Sequence, residues 1–161
     1  DATKIEELNS MMRTLLKFAA KIDIAVNGGG INSPEPFLEI KEFNWHKVMD
    51  SQLTATYLGC QVFGDHMLKN KKGSIINISS IYGIVSPDQS LYEYKRKEGI
   101  EFYKPVSYSV SKSALLNLTK YLAVYWAKNN VRVKKSVFIV VIFLLPRQFI
   151  LTIIDYQLFM T

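Results

Sequence analysis

The chain has 161 residues, of which 48% are hydrophobic and 21% charged, and this composition excludes an intrinsically disordered protein. Its net charge of +6 is moderate and its basic residues are interspersed with acidic ones, so we expect no nucleic acid partner. The single cysteine, Cys60, excludes an internal disulfide and suits a reducing, cytoplasmic location. Two histidines, His46 and His66, are too few and too separated to indicate a metal site. Because the first residue is Asp1 and not methionine, we expect a fragment or a processed product.

An amphipathic helix is predicted near the amino terminus. Thr3-Lys4-Ile5-Glu6 has the spacing of a capping box, in which the Thr3 hydroxyl and the Glu6 carboxylate bond the first free amides. Residues 22–27 then form a short apolar strand that ends at three consecutive glycines. The helix itself is indicated by apolar residues at helical spacing, which are Ile5, Leu8, Met12, Leu15 and Ala19.

The rest of the chain alternates between helical and strand patterns. We predict a helix from about 42 to 68, a strand over 74–78, a helix from about 106 to 128 and a further strand that begins at Val131. Strands that alternate with long helices imply parallel strands joined by right-handed crossovers. The predicted fold class is therefore α/β, with a doubly wound parallel sheet.

Two polar turns directly follow predicted strands. The first is Asn27-Gly28-Gly29-Gly30, and the second is Ser79-Ser80. Ligands of doubly wound sheets bind beyond the carboxyl ends of the strands, so we expect both turns at the ligand-binding edge. Glycines at such an edge let a flat ligand approach the backbone, although a triple glycine is also a common flexible turn.

Tyr108 and Lys112 lie four residues apart in a predicted helix and therefore share one face. A phenol is a poor acid or base at neutral pH, because its ordinary pKa is about 10. An ammonium group one turn away favours the phenolate and makes proton transfer useful near neutral pH. By itself the pair is a weak signal, because such a pair is more often two exposed residues on a helix surface.

Together these motifs resemble the short-chain dehydrogenase/reductase family, whose motif order they keep over residues 1–133. The matching segments are Asp1-Ala2-Thr3, 22–30, 73–80, Tyr108 with Lys112, and 130–133. The resemblance implies a Rossmann-like fold and a hydride transfer that uses NAD or NADP. Residues 80–88 are most similar to bacterial members that act on sugars, such as flagellin-modification and nonulosonate-pathway oxidoreductases. A sugar or another polar small molecule is therefore the expected substrate.

The resemblance also assigns catalytic roles. Tyr108 would exchange the hydroxyl proton, and Lys112 would lower the pKa of that phenol and bond the nicotinamide ribose. Ser80, in preference to Ser79, would hold the substrate oxygen. Gln52 stands where the family usually has an asparagine that holds a relay water. The longer side chain of Gln52 either serves a displaced relay or lies at the surface.

Cofactor-binding residues follow from the same resemblance. Asp1 would contact the adenine, and Tyr108 and Lys112 would contact the nicotinamide half. The groove between them would be lined by Asn27, Gly28, Gly29 and Gly30. The family's glycine-rich phosphate loop and first helix precede the position of Asp1. We therefore expect an incomplete sheet that lacks two strands. We also expect a lower affinity for the dinucleotide.

Between Ser80 and Tyr108 lie 27 residues, which we interpret as an insert. Its polar part, 86–105, carries four basic and four acidic side chains together with several aromatic ones. It is either a solvated loop or part of the wall around a polar substrate. We favour the second interpretation as a hypothesis, because the insert directly precedes Tyr108.

Residues 134–161 form an apolar tail without the family's substrate lid, and we divide the chain into a partial Rossmann domain, 1–133, and this tail. Its uninterrupted apolar run of nine residues is too short for a membrane span, which needs about 20 residues. The two remaining interpretations are a buried strand that continues from Val131 and a tail translated out of frame. We favour the out-of-frame origin.

Intact relatives would form homo-oligomers through the helices bearing Trp45 and Tyr108. The alternative function is a non-catalytic α/β remnant whose tail associates with a membrane or partner.

Overall fold

The computed structural model describes residues 1–137 and the backbone of 150–153. It contains one sheet of four parallel strands in the spatial order β3-β2-β1-β4. The predicted Rossmann-like α/β fold with a parallel sheet is confirmed. The strands are β1 Ile24–Asn27, β2 Gly73–Ile78, β3 Val131–Ser136 and β4 Ile150–Ile153.

The helices match the predicted alternation, with one difference in the second helical region. There, α2 does not run straight into α3, because a π-helical turn at Asp50–Thr54 separates them. Such turns often occur at functional positions, and this one contains Gln52. The helices are α1 Ile5–Phe18, α2 Glu42–Met49, α3 Ala55–Lys69, α4 Glu93–Lys97 and α5 Val106–Trp126.

Two local predictions are wrong. The capping box does not form, because Asp1 accepts bonds from both the Thr3 amide (2.9 Å) and the Thr3 hydroxyl (2.7 Å). Helix α1 consequently has Lys4 at its N-cap and no side-chain cap. The first strand begins at Ile24 and not at Ile22, because the amide of Ile22 donates to His66 Nε2 (3.1 Å) instead of to a neighbouring strand.

The core lies between the sheet and the faces of α1, α3 and α5. Cys60 on α3 belongs to it, and burial raises the pKa of this thiol to about 12. Within the described residues, no helix is long and apolar enough to cross a bilayer. The largest fully buried apolar side chains are Phe63, Met67, Ile75, Leu115, Val48 and Val131.

The end of the chain is described only in part. Strand β3 continues past Val133, where the predicted partial Rossmann domain ends, as far as Ser136. Strand β4 lies in the tail and pairs in parallel with β1, with Ile24 opposite Ile150. The predicted division at residue 133 and the out-of-frame origin of the tail stay predictions, since 138–149 and 154–161 lie outside the described residues.

Candidate active site

Lys112 is fixed to the carboxyl end of β2 by both its main chain and its side chain. Its ammonium Nζ donates to the carbonyl of Ile78, the last residue of β2, at 2.8 Å. Its own carbonyl accepts from the Ser79 hydroxyl at 2.7 Å. Gly83 allows the following turn to approach α5 closely, because a Cβ there would lie 2.7 Å from the Lys112 oxygen. The structure therefore places the beginning of α5 against the carboxyl end of β2.

The Lys112 ammonium is buried without a carboxylate partner. The side chain is 4% exposed, and no ion pair within the described residues includes it. Burial lowers its pKa to about 8, and the nearby positive charge of Lys104 adds to the effect. At neutral pH Lys112 still carries its proton, so a concentrated positive charge sits one helical turn from Tyr108.

Tyr108 lies between two ammonium groups. Lys104 Nζ is 3.9 Å from the centroid of the Tyr108 ring, and Lys112 Nζ is 5.6 Å from it. Lys112 was expected from the spacing of the pair, whereas Lys104 was not. Both contacts are of the cation–π type, in which the negative face of the ring attracts the cation. Two positive charges therefore lie close to the half-buried Tyr108 side chain.

The two serines after β2 have different surroundings. Ser79 is buried and its hydroxyl is committed to the Lys112 carbonyl. Ser80 is half-buried, and its Oγ accepts from the Tyr82 amide at 3.2 Å, which caps the short turn Ile81–Gly83. Because Ser80 only accepts in this bond, its hydroxyl hydrogen can still donate. This difference supports Ser80 over Ser79 as the group that meets a substrate oxygen.

The insert before Tyr108 is an ordered, internally bonded segment. Arg96 on α4 donates to the carbonyls of Gln89 and Phe102, both at 2.9 Å. Gln89 in turn bonds both the amide (3.0 Å) and the carbonyl (2.9 Å) of Lys104. These four bonds close the segment and fix the main chain of Lys104 directly before α5.

Asp1 and the glycine turn lie together, as the family resemblance implied. They line one cavity of about 40 Å³, whose other walls come from the π-turn and the start of α3. Gly30 adopts φ +146, and a Cβ at this position would overlap Gln52, so only glycine fits. The structure brings together Asp1, Asn27, Gly28, Gly29 and Gly30, with Ser51 and Thr56 beside them.

The side chain of Asn27 points into the core and not along the groove. Its amide Nδ2 donates to Asn77 Oδ1 at 2.9 Å, and Asn77 donates to the Thr119 hydroxyl at 3.0 Å. The strand register places the two asparagines opposite each other. We interpret this buried row as a tie between β1, β2 and α5, in which the Asn27 Oδ1 is buried without a hydrogen-bond partner in the described structure.

Gln52 is fully buried in the π-turn and is not a surface residue, with 1% of its surface exposed. Its Nε2 donates to the Ile31 carbonyl at 3.0 Å. Its Oε1 is buried and has no hydrogen-bond partner in the described structure. Gln52 packs against Gly30, beside the cofactor-side cavity. Its participation in a proton relay stays a prediction.

Sequence reasoning missed Lys104, Asn77 and Thr119. Lys104 stands four positions before Tyr108, the mirror image of Lys112, and this spacing is its only sequence signal. Pro105 lies between them and made a helical interpretation of that spacing unattractive. Asn77 and Thr119 are far apart in sequence and meet only through the packing of α5 on β2.

Comparison with known proteins identifies clear relatives. Residues 1–135 match the family model described as enoyl-(acyl carrier protein) reductase. The chain is 30% identical over 135 residues to glucose 1-dehydrogenase 2 of Bacillus subtilis, covering 83% of this chain and 46% of that protein. It is 29% identical over 133 residues to an NAD-dependent glycerol dehydrogenase of Listeria innocua, with the same two coverages.

Solved structures agree with these matches. A short-chain dehydrogenase of Leptospira borgpetersenii with bound NAD+ superimposes with a TM-score of 0.74 at 27% identity, covering 84% of this chain and 50% of that one. ElxO with NADP bound gives a TM-score of 0.71 at 27% identity and covers 85% and 50%. The chain therefore spans about half the length of the relatives it matches.

Proposed function

The chain belongs to the short-chain dehydrogenase/reductase family, and on this premise we propose that it is an NAD(P)-dependent oxidoreductase. The reaction is hydride transfer to or from the carbinol carbon of a secondary alcohol or its ketone. The observation that carries the proposal is the buried Lys112 ammonium, held on the Ile78 carbonyl one helical turn from Tyr108. A structural lysine would be expected to have a carboxylate partner or an exposed ammonium.

The nicotinamide, when bound, supplies or accepts the hydride. The residues of the chain move the proton. In the reductive direction, the Tyr108 hydroxyl gives its proton to the substrate oxygen as the carbonyl becomes a carbinol. In the oxidative direction the phenolate takes the same proton back. Ser80 donates a hydrogen bond to the substrate oxygen and so holds it within reach of Tyr108.

Lys112 has two tasks in this proposal. An ammonium has three N–H donors, and Ile78 uses one of them. The remaining donors fit the hydroxyls of a ribose, while the positive charge stabilises the Tyr108 phenolate. Asp1 and the glycine turn, which line one small cavity, would contact the adenosine half of the same dinucleotide. Both NAD and NADP remain candidates, because solved relatives contain one or the other.

We propose a sugar or a comparable polar alcohol as the substrate. Two relatives are named for glucose and glycerol, both polyhydroxylated molecules. In this chain the ordered insert adds polar and aromatic side chains beside Tyr108, which supports a role as substrate wall. A role in flagellin modification or nonulosonate synthesis is the narrower form of this proposal and depends on the resemblance of residues 80–88.

Cytoplasmic location and self-association complete the proposal. Helix α5 presents Tyr121, Val124 and Tyr125 at 64%, 80% and 67% exposure, an apolar surface that a second copy could cover. We propose that this helix takes part in a homo-oligomer.

Cofactor binding can be tested by calorimetric titration of the chain with NAD and with NADP. We expect saturable binding of one of them, weakened about tenfold in Lys112→Ala through loss of charge-assisted bonds to the ribose. Lys97→Ala is the matched control, since Lys97 is an exposed lysine on α4. Absence of binding for both cofactors would mean that this chain alone is no working dehydrogenase.

A further inference from the structure

Lys104 carries a positive charge that no acidic side chain neutralises. Its Nζ lies over the rings of Tyr108 (3.9 Å) and Tyr82 (5.7 Å). No carboxylate of the described residues lies within 4.0 Å of it. Burial, followed by the charge of Lys95, lowers its pKa. Placing an ammonium in this position costs free energy, and an anionic ligand would recover it.

A cavity of about 410 Å³ opens beside this lysine. It lies between the insert and the beginning of α5, and its lining includes Lys104, Gln89 and Ser109. The Ser109 hydroxyl is buried and has no hydrogen-bond partner in the described structure. Lys104 and Ser109 therefore line the same cavity, and Ser109 directly follows the proposed acid/base Tyr108.

Glu35 is the carboxylate that also lines this cavity. Its two oxygens are bonded by the Ser33 hydroxyl and the Asn44 amide, so its charge is partly compensated by its own neighbours. A ligand that fills the cavity would therefore meet a positive end at Lys104 and an acceptor end at Glu35. An acid group at the first end and hydroxyls at the second match this polarity.

We propose that this cavity, here called the Lys104 pocket, binds an oxyanion group of the substrate, a carboxylate or a phosphate. Lys104 forms a charge-assisted hydrogen bond to the anion and Ser109 donates a second one. The substrate class is thus an acidic polyol, such as a sugar acid or a sugar phosphate. The proposal rests on the oxidoreductase function above and adds to it the charge of the substrate.

The Lys104 pocket is formed in part by the insert, which holds the Lys104 backbone in place. Arg96 and Gln89 fix the Lys104 backbone through the four bonds described above. In this proposal the insert carries the charge that selects the substrate, and substitution of Lys104 removes that charge while the Tyr108 side chain is retained.

The test is calorimetric titration of the chain with glucose, glucuronate and a glucose monophosphate, without cofactor. We expect at least one of the two acids to bind about tenfold more tightly than glucose, as a charge-assisted bond would provide. Lys104→Gln should abolish this preference, Lys104→Arg should keep part of it, and Ser109→Ala should reduce it. The exposed Lys97→Gln is the matched control and should leave the preference intact.

Equal binding of glucose and both acids, or no binding of any of them, overturns the proposal. A preference that persists in Lys104→Gln also overturns it, and circular dichroism of that variant shows whether it is folded. Which acid binds more tightly separates a carboxylate pocket from a phosphate pocket. Because no cofactor is present, failure of hydride transfer would leave this result unaffected and would count only against the oxidoreductase function.

Discussion

At the scale of single residues, two partly buried lysines flank one tyrosine. Lys112 and Lys104 both have lowered pKa values, for which burial is the main cause, and each also lies in the field of another lysine. Such an arrangement opposes folding, because each ammonium loses water without gaining a carboxylate. Perturbed ionisable groups of this kind concentrate at functional sites. The cost at Lys112 can be measured.

Lys112→Met should remove a pH-dependent contribution to the free energy of unfolding. Between pH 8 and 10.5 Lys112 is neutral in the folded chain but still protonated in the unfolded chain. The contribution of Lys112 to the free energy of unfolding therefore rises with pH in this window. Below pH 8 both states are charged and the burial cost is fully present. The stability difference, wild type minus variant, should therefore increase by roughly 3 kcal/mol across the window. Urea unfolding at several pH values measures it.

The comparison of two chains isolates Lys112 from other groups that titrate nearby. Cys60, whose pKa is raised, acts in the opposite direction, since its folded form keeps a proton that the unfolded chain loses. That contribution is common to both proteins and cancels. A difference that stays constant with pH would show that Lys112 is not buried in this way.

At the scale of elements, the insert has little regular structure but a specific set of hydrogen bonds. Only one turn of helix, α4, and short 3₁₀ turns lie in it. Its shape depends on Arg96, whose guanidinium bridges two carbonyls and lies 4.9 Å from the Tyr103 ring centroid. Removal of that bridge should loosen the insert while the sheet stays intact.

Arg96→Gln should make residues 89–104 several-fold more sensitive to limited proteolysis. The variant loses two charge-assisted bonds, each worth about 1.5–3 kcal/mol, that close the segment. Lys97→Gln removes a charge from the same helix without such bonds and serves as the control. Equal cleavage of Arg96→Gln and wild type would mean that the insert does not depend on this bridge.

Which parts of the site the sequence could predict depends on how far apart the contacting residues lie along the chain. Tyr108 and Lys112 are separated by one helical turn, and Ser80 directly follows a strand, so local periodicity was sufficient to place them. The orientation of Asn27 depends on Asn77, 50 residues later, and no local pattern contains that contact. Gln52 lies against Gly30, which is far from it in sequence, and no local pattern contains that contact either. Lys104 reaches Tyr108 only because Gln89 and Arg96 hold the insert.

At the scale of the whole molecule, the proposed proton-transfer half of a dehydrogenase site lies in a fold with a four-stranded parallel sheet. The chain covers about half of its relatives' length, and β4 from the tail pairs with β1 at the edge opposite β2. The proposed groove for the dinucleotide includes Asp1 and the turn after β1, which line one cavity. A measurement of turnover tests whether this groove and Tyr108 act together.

The most direct test is the change in nicotinamide absorbance when the chain is mixed with NAD or NADP and a polyol, for wild type and Tyr108→Phe. The account predicts turnover by wild type and a kcat at least about 10²-fold lower for Tyr108→Phe, because general acid–base catalysis contributes 10²- to 10⁴-fold. Cofactor affinity should change little, since the phenylalanine keeps the ring. Turnover by Tyr108→Phe at the wild-type rate, or none by either protein, would contradict the account.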